Sequence, residues 1–160
     1  MESEICVLKG VLPVFEVTTN SVRETEELAA RFASKLDGKV VIAFFGGLGM
    51  GKTAFTRGLA KGLGIDADVS SPTFALVNEY IGAKSLYHFD MYRVESWDDL
   101  YSTGFFDYYE TGGILACEWS ENIENALPEN TVRVSIKRGE HDNQRIISIE
   151  GFGEYENFSC

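Results

Sequence analysis

Cysteine, proline and histidine are scarce in this chain, and its cations are outnumbered. Of 160 residues, three are Cys, three are Pro and two are His. Cys6, Cys117 and Cys160 are odd in number and far apart. That excludes a disulfide framework and the paired spacing of a zinc site. Free thiols predict a reducing compartment, the cytoplasm. No apolar run approaches the ~18 residues of a membrane-spanning helix. The opening Met1-Glu2-Ser3-Glu4 lacks the basic stretch of a secretory signal. Lys and Arg number 14 against 25 Asp and Glu, a formal net charge of −11. A protein that binds nucleic acid by itself leaves a basic footprint. Here the local cations are Lys52, Arg57 and Lys61, expected on or beside a phosphate site. Any RNA involved is therefore expected to be held by a partner; the alternative is that the acidity serves solubility alone.

Glycine, by contrast, is plentiful, and its placement is informative. Gly46-Gly47-Leu48-Gly49-Met50-Gly51-Lys52-Thr53 matches the phosphate-loop pattern G-x-x-x-x-G-K-[ST]. The run just before it, Val40-Val41-Ile42-Ala43-Phe44-Phe45, reads as a buried strand. After it, Phe55, Leu59, Gly62 and Leu63 fall at helical spacing, and Gly64 is a helix stop. Strand, glycine loop and helix together carry a mechanism. Glycines let backbone amides curl around a polyanion, and the helix start adds unpaired N–H groups. Lys52 is expected to reach the β- and γ-phosphates, and the Thr53 hydroxyl to take one position on Mg2+.

The rest of the chain reads as interleaved helices and strands. A short strand is expected within Ile5–Leu8 and an edge strand at Val14–Val17. Ser21-Val22-Arg23-Glu24 fits a capping box, with Val22, Thr25, Ala29, Phe32 and Leu36 as the helical stripe up to Asp37-Gly38. Ser70-Ser71-Pro72-Thr73 reads as a loop into an extended Phe74–Tyr80, followed by a turn at Ile81–Ser85. Over Leu86–Arg93, Tyr87, Phe89 and Met91 point one way and His88, Asp90 and Tyr92 the other. Helices are expected near Ser96–Tyr101 and Phe105–Tyr109, a buried strand at Ile114–Trp119, and a hairpin from Val132–Lys137 to Arg145–Glu150. The class is α/β, with a mixed, partly parallel sheet and a C-terminal β-hairpin. The phosphate loop makes it a P-loop NTPase-like, three-layer fold. Residues 1–160 are expected to form one domain.

Phosphate chemistry needs acids beside the cradle. Glu118 ends the apolar stretch Ile114-Leu115-Ala116-Cys117, where a carboxylate without a partner would be costly. It either serves a hydrated Mg2+ or faces solvent. Asp90 either holds a metal water or orients the nucleophile, or else pairs with His88 or Arg93. His88 reads as a structural histidine. Thr73 reads from spacing alone as a turn residue, and as a γ-phosphate sensor only if the loop moves.

Taken in order, these segments resemble the TsaE (YjeE) family, the bacterial ATPases of tRNA threonylcarbamoyladenosine (t6A) biosynthesis. The matching pieces are Gly46–Thr53 with Arg57-Gly58, Ser71-Pro72-Thr73-Phe74, Glu79-Tyr80, His88-Phe89-Asp90-Met91-Tyr92-Arg93, Gly104, Glu118-Trp119-Ser120-Glu121 and Leu127-Pro128. They span roughly residues 15–150, leaving 1–13 as an N-terminal extension outside the match. The resemblance implies a P-loop fold, ATP and Mg2+ as ligands, and a weak ATPase working with the TsaB and TsaD proteins. Those partners carry the carbamoyl transfer to adenosine 37 of tRNAs reading ANN codons; tRNA meets this chain only indirectly, and no membrane is involved. By position, the resemblance implies Lys52, Asp90 and Glu118 as catalytic residues and Thr53, Glu118 and Asp90 as metal residues. Nucleotide contacts would come from residues 46–54 (Gly46, Gly47, Leu48, Gly49, Met50, Gly51, Lys52, Thr53, Ala54), Thr73 in a mobile loop, and Trp119. The chain departs from the family at Gly47, where an acid is usual, at Met50, where Ala is usual, and at Ala54, where a second Thr is usual.

Three rival readings differ in what they require. A GTPase needs D-x-x-G and N-K-x-D, and neither occurs in the chain. A small-molecule kinase of this size usually carries an Arg-rich lid, and beyond the first helix pair only Arg93, Arg133, Arg138 and Arg145 occur. A non-hydrolysing, ATP-gated adaptor fits Ala54 and the lack of an obvious arginine finger, unless Arg93 or a partner supplies one.

Overall fold

A computed structural model of the chain describes residues 3–6, 14–47, 49–72 and 76–151. The expected strand at Val40–Phe45 is β3, flanked on both sides by parallel neighbours, β7 (Val132–Arg138) and β6 (Ile114–Glu118). A parallel strand covered on both faces needs apolar residues throughout, and Val40 to Phe44 are buried without a break. β5 (Leu86–Asp90) runs parallel to β6, and β4 (Val77–Tyr80) lies antiparallel on the edge beyond it. On the other side β8 (Arg145–Glu150) forms the hairpin with β7, β2 (Val14–Thr19) pairs with β8, and β1 (Ser3–Cys6) closes that edge. Among the described residues, eight strands run in the order β1-β2-β8-β7-β3-β6-β5-β4. Val14–Thr19 is thus an inner strand, because β1 takes the edge position the sequence suggests for it.

Two hydrophobic clusters, one per sheet face, make the three layers. Val40, Ile42 and Phe44 face α1 (Val22–Ala33) and α2 (Lys52–Gly62), with Phe32, Phe55 and Leu59 beneath them. Val41, Leu115 and Phe89 face α3 (Trp97–Ser102) and α4 (Phe105–Glu110), where Leu100 and Phe105 pack. Alternation along each strand assigns the two faces. It places Tyr87, Phe89 and Met91 together in the second cluster, as expected.

The capping box is present in a modified form. Ser21 Oγ accepts from the Glu24 N–H at 3.1 Å, while the Glu24 carboxylate accepts from Asn20 N–H rather than from Ser21. The helix stops at Ala33, before the expected Asp37-Gly38, and Val22 is 61% exposed instead of core-facing. Leu36 still packs in the core from the turn beyond the helix.

Between α1 and α2 the backbones meet without side chains to spare. A Cβ at Gly58 would lie 2.3 Å from the Glu26 carbonyl and 2.6 Å from Ala29 Cβ. One at Gly62 would lie 2.3 Å from the Ala30 carbonyl. Above this seam, Glu26 accepts from Arg57 at 2.6 Å and from the Lys61 ammonium. Arg57 and Lys61, expected beside the phosphate loop, therefore engage α1 instead. Their spacing of one helical turn on α2 puts both over the same acid.

Burial works to raise the Glu26 carboxyl, but the bonds from Lys61 and Arg57 outweigh it and hold its pKa below the usual value. A carboxyl depressed in the folded state contributes stability above its unfolded pKa, about 4.3, and loses it as pH falls through the lower folded value. Glu26→Gln should cost about 1 kcal/mol near neutrality, since the cations are part-exposed. It should also flatten the fall in stability below about pH 4.3. Urea unfolding of both proteins from pH 3 to 7 checks this; parallel acid limbs would remove Glu26 from the explanation.

Candidate functional site

Parallel register decides what meets what. β3, β5 and β6 all end on one side of the sheet, so the loop after Phe45, Asp90 and Glu118 share that rim. Asp90 and Glu118 are direct register partners. In α/β sheets, ligands bind at the carboxyl ends of the strands.

The glycine loop is shaped by two constraints. At Gly46, φ is +136°, and a Cβ would sit 2.8 Å from the Ile136 carbonyl on the neighbouring chain segment, so only glycine fits. At Gly51, φ is +105°, and this left-handed residue caps α2 with no side chain. The first N–H groups of α2 therefore have no capping acceptor from the cap residue. Around Gly47, Gly49 and Gly51 there is open space where side chains would stand. Met50 is half-buried against the core, and its carbonyl accepts from Arg145 Nε at 3.1 Å, which ties the loop to β8. Leu48 lies outside the described residues, as does Thr73.

Lys52 opens α2 and is 6% exposed. Its ammonium donates to the Gly46 carbonyl at 3.0 Å and lies 5.1 Å from the centre of the Trp119 ring. An ammonium has three donors. Among the described residues this one makes a single hydrogen bond and no ion pair, an under-satisfied state for a buried charge. Thr53 follows, half-buried, and Ala54 is buried beside it.

On the acid side, Glu118 is 7% exposed. Its Oε1 lies 3.0 Å from Nε2 of His88, which is wholly buried. The pair is diagonal across β5 and β6. The sequence offers Asp90–His88 and Asp90–Arg93 as alternatives; the structure pairs His88 with Glu118. Asp90 Oδ1 instead accepts from Tyr92 N–H at 2.9 Å and so pins the turn after β5, while Arg93 is exposed on that turn. Trp119 adopts a left-handed φ of +58°, which ends β6 abruptly. Its ring packs at a tilt of 57° against Tyr92, with centroids 4.9 Å apart, and faces Lys52. Asn122 Nδ2 braces the same turn by donating to the Met91 and Tyr92 carbonyls. Next to the site, Cys117 is fully buried, and burial pushes its thiol far above the usual range, so it has no nucleophilic character.

The rim therefore brings together Gly46, Gly47, Gly49, Met50, Gly51, Lys52, Thr53 and Ala54 with Asp90, Glu118 and Trp119. Sequence reasoning missed the His88–Glu118 bond, the Arg145 tie and the Tyr92–Trp119 ring contact. None had a local signal: the strand face that His88 shares with Asp90 points to Asp90 and not to Glu118.

Comparison with known proteins adds an independent finding. The family model described as "Threonylcarbamoyl adenosine biosynthesis protein TsaE" matches residues 19–147. The tRNA threonylcarbamoyladenosine biosynthesis protein TsaE of Bacillus subtilis (strain 168) is 38% identical over 145 residues, 90% of this chain and 88% of that protein. Its namesake in Haemophilus influenzae is 43% identical over 111 residues, 69% of each chain. The crystal structure of Bacillus subtilis YdiB superposes with a TM-score of 0.75 at 32% identity, covering 92% of this chain and 93% of that one. With a P-loop-like, three-layer α/β architecture and a family match across most of its length, the chain belongs to the TsaE family.

Proposed function

We propose that the chain is a Mg2+-dependent ATP-binding protein and slow ATPase of t6A formation at adenosine 37 of tRNA. It acts with TsaB and TsaD and does not transfer the threonylcarbamoyl group itself. One observation carries the nucleotide reading: Lys52 is a buried ammonium with one acceptor among the described residues, at the mouth of a helix whose cap residue has no side chain. A polyphosphate supplies the missing acceptors and the counter-charge in one ligand. Open space around Gly47, Gly49 and Gly51 leaves the loop amides free of side-chain bulk, which suits that ligand. The names of the Bacillus and Haemophilus relatives support the tRNA role.

Thr53, Glu118 and Asp90 are the residues that would hold Mg2+. Magnesium needs only one or two protein carboxylates when phosphates and water complete its shell. Bound Mg2+ would neutralise phosphate charge. The chain's own part is to orient: Lys52 holds phosphate oxygens, Asp90 and Glu118 fix water on the acid side, and Trp119 closes over Lys52. The site's arginines are engaged elsewhere. Arg57 is held by Glu26, and Arg145 by the Met50, Asp142 and Gln144 carbonyls. With Arg93 exposed, an arginine finger must come from Arg93 or a partner, and without one turnover is slow by ~10³-fold or more.

The acid side is tested by Glu118→Ala. This variant should bind nucleotide without metal like the parent but need at least about tenfold more Mg2+ to reach half-maximal phosphate release. Overlaid Mg2+ titrations would remove Glu118 from the metal. Phosphate release with and without TsaB–TsaD separates the readings. Stimulation supports the ATPase, while no release in either case favours an ATP-gated adaptor.

A further inference from the structure

The proposed mechanism leaves His88 without a role, and its surroundings assign one. The ring is wholly buried on β5, between Tyr87 and Phe89 in sequence and opposite Ala116 in register. A purely structural core position there would favour an apolar residue, as at Leu86 and Phe89. Nε2 meets Glu118 Oε1 at 3.0 Å, while Nδ1 is buried and has no partner among the described residues. That asymmetry selects the tautomer. A proton on Nδ1 would be a buried N–H with no acceptor, the rarer and costlier kind of orphan, whereas a bare lone pair is better tolerated. The proton is therefore on Nε2. Nε2–H then donates to Glu118 Oε1.

Resting on the Mg2+–ATP reading above, we infer that His88 is a positioning residue. Its Nε2–H holds Glu118 by Oε1, so the acid presents one oxygen to the metal side in a fixed rotamer. Among the described residues no other hydrogen bond engages the Glu118 carboxylate. A glutamate side chain has three rotatable bonds, and a ring carried by a central strand restrains them better than water would. Residues that orient metal-bound groups typically matter by about 10- to 100-fold in metal affinity.

The test uses the full chain with Mn2+ as a paramagnetic probe for the metal and a fluorescent ATP analogue for the nucleotide. Three variants are compared. His88→Gln retains an N–H at the reach of Nε2, His88→Asn is too short, and His88→Leu removes the donor. Gln should keep metal–nucleotide affinity within about threefold of the parent. Asn and Leu should lose about tenfold or more, with metal-free nucleotide affinity unchanged. Should Leu fail to fold in thermal unfolding, the Gln–Asn pair, equal in chemistry and differing in reach, decides. Nitrogen-15 spectra of the parent should show a protonated Nε2 and a bare Nδ1; the opposite tautomer overturns the assignment. Equal Mn2+ affinity in all variants, or equal losses with and without metal, would overturn the positioning role while the parent's nucleotide binding stands. A parent that binds no nucleotide at all would instead bring down the Mg2+–ATP reading, and the positioning role with it.

Discussion

Lys52→Ala is expected to weaken nucleotide binding by about 10- to 100-fold, the loss of one or two charge-assisted hydrogen bonds, without lowering the melting temperature. The two halves come from one fact. In the free protein the ammonium is buried and, among the described residues, has a single carbonyl acceptor at Gly46 and the face of Trp119. It is a charge the fold tolerates at a cost, and removing it relieves that cost. The bound state is where it contributes. Sites that hold a polar group ready for a ligand are commonly less stable than the same site emptied of it. Isothermal titration with an ATP analogue, alongside thermal unfolding of the free protein, reads both halves. Unchanged affinity would sink the cradle assignment; a lower melting temperature with weakened binding would mean Lys52 serves the fold.

Gly58→Ala should be strongly destabilising. Glycine inside a helix normally costs about 1 kcal/mol relative to alanine, so on an exposed face the substitution would stabilise. Here the sign reverses. The added Cβ would lie 2.3 Å from the Glu26 carbonyl, 2.8 Å from Glu26 Cα and 2.6 Å from Ala29 Cβ. Two of these three atoms belong to backbone and cannot rotate away. The helices must separate along the seam that also carries Gly62 against Ala30 and Ala33. Overpacking of this kind costs about 3 kcal/mol or more, which is roughly 6–12 °C in melting temperature for a chain of this size. Gly58→Val should not accumulate as soluble protein. Gly47→Ala is the control: nothing lies within 4 Å of its added Cβ, and its stability should stay within about 0.5 kcal/mol of the parent. If Gly58→Ala melts with the parent, the close approach of α1 and α2 is wrong.

Some features were legible in local pattern because local physics produces them. Val40–Phe45, the glycine loop and the helix after it follow from an apolar run, positive-φ glycines and 3.6-residue spacing, all within one short stretch. Ser21 and Glu24 mark the helix start they cap, although the reciprocal bond shifts to Asn20. Lys52 was legible as a candidate from the glycine-loop pattern, and Glu118 because a carboxylate is expensive at the end of an apolar strand unless something binds it.

Partner choice was not legible. Nothing near Arg57 or Lys61 in the chain names Glu26, 31 and 35 residues away, as their joint acid. Nor does His88, read alone, choose Glu118 over the nearer Asp90. Strand alternation puts His88 and Asp90 on one face but two residues apart, while the parallel register brings Glu118 diagonally within reach from β6. The edge position given to Val14–Val17 failed for a related reason. Whether a strand lies on an edge depends on which remote segment pairs with it, here β1 and β8.

The residues themselves dictated the elements, the two-faced strands and the glycine-rich loop between β3 and α2, since propensity, periodicity and the conformational freedom of glycine act over a few positions. Tertiary packing alone decided the strand order, the glycine seam between the helices and the hold of His88 on Glu118. Those depend on the free energy of bringing distant segments together, which no local pattern encodes.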